Sequence, residues 1–288
     1  MEDLTSPRIL RETLARYGLA PRKNLGQNFL IDGNLRDKIV QVASPGPDDL
    51  AVEVGPGPGG LTFGLLATGA RVLAIETDRG LARILTDSAA AAEGRLAVII
   101  QDFLALDLAG AVSAAGWSGR PAIGVANLPY YITTPAIFHL LDSGLPWRRL
   151  VLLMQREVAE RITARPGTKD YGLLSVMVQY RAGTEMLNHF PPSVFWPPPK
   201  VQSALVRLAF PGPYTVPEPV DRLFKGMARA AFNQRRKTLH NACREFLTRE
   251  GLEEAFLAAC RESGVDPGAR GEQLSVAQFV GLAEKMAP

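Results

Sequence analysis

The side chains of this 288-residue chain best arranged for chemistry are Asn127-Leu128-Pro129-Tyr130, which follow a short apolar run, Pro121 to Ala126. The side-chain oxygen of Asn127 and the backbone carbonyl of Leu128 can both accept hydrogen bonds from a single NH2 group. An NH2 on an aromatic ring is a poor nucleophile, because its lone pair is delocalised into the ring. Two carbonyl acceptors draw the nitrogen toward tetrahedral geometry and localise that lone pair. They also favour the positive charge that develops as the nitrogen attacks. Tyr130 offers a face on which the ring can stack. Against an already activated electrophile no strong general base is needed. The three histidines, His139, His189 and His240, form no cluster, and no metal-ligand spacing occurs.

A second constellation is the glycine cluster in Val52-Glu53-Val54-Gly55-Pro56-Gly57-Pro58-Gly59-Gly60-Leu61-Thr62. A β-branched run enters it, and an apolar helical pattern (Leu61, Leu65, Leu66) leaves it. Strand, tight turn and helix follow in that order, and the glycines let the backbone approach a ligand closely. Glu76 ends the next apolar run, Arg71 to Ile75, about twenty residues beyond the first glycine, where an acid suits ribose hydroxyls. The ligand expected is a nucleoside-containing cofactor. Gly55, Gly57 and Gly60 satisfy G-x-G-x-x-G and so admit a dinucleotide. The two prolines and Glu53 fit instead the E-x-G-x-G-x-G loop of methyltransferases that use S-adenosyl-L-methionine.

These residues need a scaffold, and the pattern supplies one. Short apolar runs at Leu50 to Val54, Arg71 to Glu76, Leu96 to Ile100, Pro121 to Ala126 and Leu150 to Met154 alternate with helical stretches. The alternation predicts a parallel, doubly wound α/β sheet with the ligand beyond the carboxyl ends of the strands. Glu76, Asp102 and Asn127 all stand at such ends and are expected to converge, although Asp102 alone could be an ordinary helix cap. Residues 1–20 read as an amphipathic helix stopped by Gly18. The polar segment Pro21 to Leu30 reads as a solvated connector or as a flap over the cofactor. Leu173 to Tyr180 and Val201 to Phe210 read as two further strands. Between them, His189 to Lys200 is a proline-stiffened loop presenting Phe195 and Trp196 as packing anchors or stacking surfaces.

Pro211 to Pro219 is the clearest linker, and the sequence beyond it is helical, with Ser275 a candidate N-cap. Three parts are expected: a cofactor-binding domain over 1–210, in which 1–45 hold N-terminal helices and the flap; a linker over 211–219; and a helical domain over 220–288. Cations outnumber acids between Arg222 and Arg249 and peak at Arg235-Arg236-Lys237, a pattern suited to phosphate contacts. Net charge is only +3 with pI ≈ 8.9, so where the charge lies matters more than its total. An apolar share of 47% against 21% charged residues indicates a globular chain with a substantial core. No apolar run reaches the length of a membrane span, and the N-terminus lacks a signal-peptide core. Cys243 and Cys260 suggest no disulfide scaffold, so a cytoplasmic setting is expected, with a monomer as the default.

Five stretches carry a family resemblance: Asn24 to Leu30, Val52 to Thr62, Asn127 to Tyr130, Phe195 to Ser203, and Phe232-Asn233-Gln234-Arg235-Arg236-Lys237-Thr238-Leu239. In this order they resemble the ribosomal small-subunit RNA adenine N6,N6-dimethyltransferases across nearly the whole chain. The resemblance implies a Rossmann-like class I methyltransferase domain followed by a small helical RNA-binding domain. The implied reaction is dimethylation of two adjacent adenosines in the 3′-terminal hairpin of 16S rRNA, on the immature small ribosomal subunit. Cofactor contacts would fall on Asn28, Leu30, Gly55, Gly57, Glu76, Asp102 and Asn127, with Glu76 at the ribose and Asp102 at the cofactor's adenine. Asn127, Leu128, Pro129 and Tyr130 would hold the target base, with Phe195 on its opposite face. Arg22, Lys23, Arg235, Arg236 and Lys237 would meet RNA, and no metal is implied. Thr77, Tyr131 and Gln202 depart from the family's usual residues. The competing readings are a related 23S rRNA adenine N6-methyltransferase, a non-catalytic rRNA-binding assembly factor, and a nicotinamide-dependent oxidoreductase.

Overall fold

The computed structural model describes residues 3–22, 25–117 and 119–287. Lys23 and Asn24, expected in the RNA contact and the flap motif, lie outside the described residues. The chain forms two compact units, Met1–Ala159 with Glu185–Phe210, and Glu160–Thr184 with Pro211–Pro288.

In the first unit, strands β1 (Phe29–Leu30), β2 (Leu50–Val54), β3 (Arg71–Glu76), β4 (Leu96–Ile100) and β5 (Ala122–Asn127) come in chain order. They are followed by β6 (Trp147–Gln155), β7 (Gly183–Phe190), β8 (Phe195–Trp196) and β9 (Ser203–Ala209). Seven of them build one sheet in the order β4-β3-β2-β5-β6-β9-β7. The chain moves outward from β2 to β4, then returns to lay β5 on the other side of β2. This reversal is the switch point at which open α/β sheets bind ligands. It sets Gly55, just past β2, beside Asn127, the last residue of β5. Every residue of β2 is buried, as are five of the six in β5, as expected where helices cover both faces. Leu35 and Ile39 of the helix Gly33–Ala43 and Leu65 of the helix Thr62–Leu66 pack in the same core.

Two expectations change here. β9 runs antiparallel to β6, pairing Leu152 with Val206, so the sheet is mixed rather than wholly parallel. No crossover helix connects β7 to β9, and an antiparallel strand needs none. The loop His189 to Lys200 is also more ordered than expected. β8 within it pairs antiparallel with β1, setting Phe29 against Trp196 and Leu30 against Phe195.

In the second unit, the helices Glu218–Asn233, Leu239–Glu250, Glu253–Ser263 and Val276–Met286 follow the proline-rich stretch. Pro219 lies in the first turn of its helix, where its missing N–H does no harm. The Ser275 side chain accepts the Gln278 N–H at 3.2 Å, the expected cap. Leu173 to Tyr180, expected as a strand, lies in the helix Leu173–Arg181. That helix is buried on nearly every side, which erases the amphipathic period and leaves an apolar run that looks like a strand. It belongs with the C-terminal helices, so 160–184 leave the expected 1–210 domain. Tyr180 stacks on Phe224 with ring centres 3.9 Å apart, and the Tyr171 hydroxyl donates to the Leu274 carbonyl at 2.9 Å. Changing Tyr171 to Phe should therefore lower unfolding stability by about 1 kcal/mol, the usual net worth of such a bond. Urea denaturation measures it; unchanged stability would show that this bond does not fasten the segment.

Candidate active site

The switch-point geometry becomes a cavity of about 310 Å³ at the carboxyl ends of β2 to β5, a size that takes cofactor-sized ligands. On one side Asn28, Leu30, Gly55, Gly57, Glu76 and Asp102 line it. On the other are Asn127, Leu128, Pro129 and Tyr130. Ten residues from five separate stretches of sequence thus meet as expected.

The glycine loop is built for close approach. Gly55 and Gly57 have φ of +69° and +58°, a region that side chains disfavour. A Cβ on Gly57 would stand 3.2 Å from the Phe29 ring, and one on Gly60 would meet the Leu30 carbonyl at 3.6 Å. The loop's N–H groups are turned toward the protein. Gly55 N–H donates to the Ile75 carbonyl at 2.9 Å, and Gly57 N–H to Glu76 Oε2 at 3.0 Å. The other Glu76 oxygen accepts the Asp78 N–H at 2.9 Å, so the carboxyl is held rigid with acceptor positions left for a ligand. Burial raises the Glu76 pKa, an effect that those two N–H donors partly offset. Asp102 is both a cap and a residue of the cavity wall. Its Oδ1 caps the turn Phe103–Ala105 by accepting the Leu104 N–H at 3.0 Å, and the residue stays exposed at the cavity wall.

Asn127 is fixed by the flap. Its Nδ2 donates to the Asn28 carbonyl at 3.0 Å, which assigns the amide's orientation and leaves Oδ1 as an acceptor unused among the described residues. Asn28 is itself braced by a bond from its side chain to the Gly26 carbonyl. Leu128 N–H bonds to the Leu153 carbonyl at 3.0 Å, anchoring the next residue to β6. The Tyr130 hydroxyl shares a 2.9 Å hydrogen bond with Ser203 Oγ, and burial raises its pKa. Tyr131, 61% exposed, lies over Gly26 at the rim.

Charge at the site is one-sided. Glu53, Glu76 and Asp102 line the cavity, and no described Lys, Arg or His does. A pocket of this kind suits a cationic ligand and repels a diphosphate. The glycine loop supports the same choice, since the N–H groups of Gly55, Gly57 and Gly59 are already bonded within the protein. The residues present therefore fit S-adenosylmethionine, a sulfonium with an α-ammonium, better than a dinucleotide. Among the described residues no group of three or more His, Cys, Asp or Glu could hold a metal ion.

The model of the family described as ribosomal RNA adenine dimethylase matches residues 18–287. The chain belongs to that family. It is 44% identical over 290 residues to ribosomal RNA small subunit methyltransferase A of Pelotomaculum thermopropionicum, covering 98% of this chain and 96% of that protein. It is 41% identical to the protein of the same name from Geobacillus kaustophilus, with 100% and 98% covered. Among solved structures, the 23S rRNA methyltransferase ErmE superposes with TM-score 0.67 at 26% identity, over 90% of this chain and 99% of that one. A dimethyladenosine transferase from Plasmodium falciparum gives TM-score 0.68 at 25% identity, over 88% and 95%. The Rossmann-like class I methyltransferase fold with a helical C-terminal part is thereby shown.

One expected site residue is placed elsewhere, and two expected RNA contacts carry ion pairs within the protein. Phe195 is 2% exposed and sits in the core behind Leu30, so it backs the flap and presents no face to the cavity. Arg22 pairs with the buried Asp78 at 3.3 Å. That ion pair, with the bond from Gln27 Nε2 to Asp78 at 3.2 Å, fastens the flap to the loop after β3. Arg235, itself exposed, bonds the Tyr171 carbonyl at 3.1 Å and Glu272 at 3.2 Å. Arg236 and Lys237 remain exposed in the turn between two helices. The sequence assigns no role of their own to Gln27, Asp78 and Ser203, and Glu53 enters there only as the acid of the E-x-G-x-G-x-G loop. Its place as an acid inside an otherwise apolar strand is the further signal that it faces the cavity. The close approach at Gly57 predicts that Gly57→Ala adds about 1–2 kcal/mol of backbone strain and displaces Phe29. Melting temperature should fall, and S-adenosylmethionine should raise it less than in the wild type. A melt identical to wild type would mean that the loop tolerates a side chain.

Proposed function

We propose that this chain transfers methyl groups from S-adenosylmethionine to N6 of two adjacent adenosines in the 3′-terminal hairpin of 16S rRNA, during maturation of the small subunit. The single observation that carries the reading is the Asn127 amide, oriented by the Asn28 carbonyl so that Oδ1 is left to accept. Identity above 40% along the whole chain to relatives named for the small subunit supports that substrate over the large-subunit RNA. The non-catalytic reading leaves an intact and braced Asn127-to-Tyr130 motif without a use.

The residues divide the work. Glu76 would take the ribose hydroxyls through its remaining acceptor positions, and Asp102 the adenine amino group of the cofactor. When bound, S-adenosylmethionine supplies an electrophilic methyl group. Asn127 Oδ1 and the Leu128 carbonyl would accept both hydrogens of the target N6 amine, localising its lone pair and favouring the charge that grows on nitrogen. The Ser203 bond steadies the Tyr130 ring as a face for the extruded base, which has to leave its helical stack to enter. Arg236 and Lys237 would meet phosphate.

Asn127→Ala should cut methyl transfer to unmodified small subunits at least about a hundredfold, the usual scale for removing one such acceptor. RNA binding should change far less. Near-normal turnover would eliminate the N6 activation proposed here. Calorimetry should detect binding of S-adenosylmethionine and none of NADH; the reverse would restore the dinucleotide reading. Replacing Arg236 and Lys237 with Ala should weaken RNA binding and flatten its salt dependence by about one unit of slope per lost contact. An unchanged slope would make that turn ordinary surface.

A further inference from the structure

One buried acid has no part in the scheme above. Glu53 sits within β2, two residues before Gly55, is 2% exposed, and lines the cavity. Its Oε2 has no hydrogen-bond partner among the described residues, and the Thr62 hydroxyl beside it favours the charged form without closing a full hydrogen bond. A charged oxygen left in that state would bear an uncompensated desolvation penalty.

Apart from the Thr62 hydroxyl, the groups around it offer no relief. β3 contributes the Glu76 carboxyl, whose charge opposes ionisation of Glu53. Asp102 after β4 and the phenols of Tyr130 and Tyr131 after β5 line the same cavity. Asp78, which also acts on Glu76, is paired with Arg22. No described cation lines the cavity. Burial first, and then Glu76, push the Glu53 pKa up to about 8.

We propose that Glu53 is a cofactor-binding residue that holds a proton in the free protein and releases it when the cationic amino-acid end of S-adenosylmethionine enters the cavity. This rests on the cofactor reading given above. The carboxyl O–H bond breaks, the proton passes to the buffer, and the carboxylate remains as counter-charge to the ligand. Ammonium and sulfonium share that chemistry. S-adenosylhomocysteine, which keeps the first and lacks the second, distinguishes them.

The sign follows from linkage. Below the free protein's Glu53 pKa, binding has to expel a proton, so affinity rises by up to about tenfold per pH unit from pH 6 and levels off above about 8. A folded pKa raised above the unfolded value also makes the free protein lose stability as pH climbs from the ordinary carboxylate range through that value.

The test is calorimetric titration of the full chain with S-adenosylmethionine at pH 7 in phosphate and in Tris, which differ in ionisation enthalpy. The expected result is release of close to one proton by the wild type and none by Glu53→Gln, whose affinity should be flat from pH 6 to 8. Release with S-adenosylhomocysteine as well assigns the ammonium; release with S-adenosylmethionine alone assigns the sulfonium. Carbon NMR of labelled glutamate carboxyls in the wild type gives a second reading should Glu53→Gln fail to fold. One carboxyl should titrate near pH 8 in the free protein and be ionised at pH 7 once the cofactor is added. Binding without proton release, or equal release by Glu53→Gln, overturns the proposal and leaves the cofactor assignment standing. Failure of S-adenosylmethionine to bind in any buffer overturns both.

Discussion

The hydrogen bond from Asn127 Nδ2 to the Asn28 carbonyl decides what the crevice can do. Free in solution, a primary amide presents donor and acceptor equally. Here the donor end is committed to the flap, so the acceptor end is what remains for an incoming amine. A bond of this kind is worth only about 1 kcal/mol to stability. Its larger effect is on chemistry, because it removes the alternative in which a donor faces the amine and repels it. The flap therefore does more than cover the cavity: by holding Asn28 in place it sets the polarity of Asn127.

Holding the flap is the task of residues that do no chemistry. Arg22 and Gln27 converge on Asp78, and β1 pairs with β8 so that Leu30 rests on Phe195. Asp78 also places its N–H on Glu76, which in turn accepts Gly57. Flap, glycine loop and Glu76 are thus linked through a few bonds around one carboxylate. The same arrangement concentrates acidic groups in a cavity without a cation, and that asymmetry favours a sulfonium cofactor over a dinucleotide.

Much of this was legible in the sequence. Period and turn chemistry located the strands, and Glu76, Asp102 and Asn127 meet because strand ends in such a sheet face one crevice. The misreadings have physical causes. Leu173 to Tyr180 looked like a strand because a helix buried all round loses its 3.6-residue signature. Phe195 looked available for stacking because an aromatic on a proline-rich loop gives no sign of which way it faces; the β1–β8 pairing buries it. Charge counts also do not reveal partners within the protein, such as Asp78 for Arg22 and Glu272 for Arg235.

The most direct test of the account is labelled methyl transfer from S-adenosylmethionine to unmodified small and large ribosomal subunits, followed by nucleoside analysis and mapping. The account predicts N6,N6-dimethyladenosine at two adjacent positions in the small-subunit RNA and no label in the large-subunit RNA. Label on the large-subunit RNA, or on any atom other than adenine N6, would contradict it.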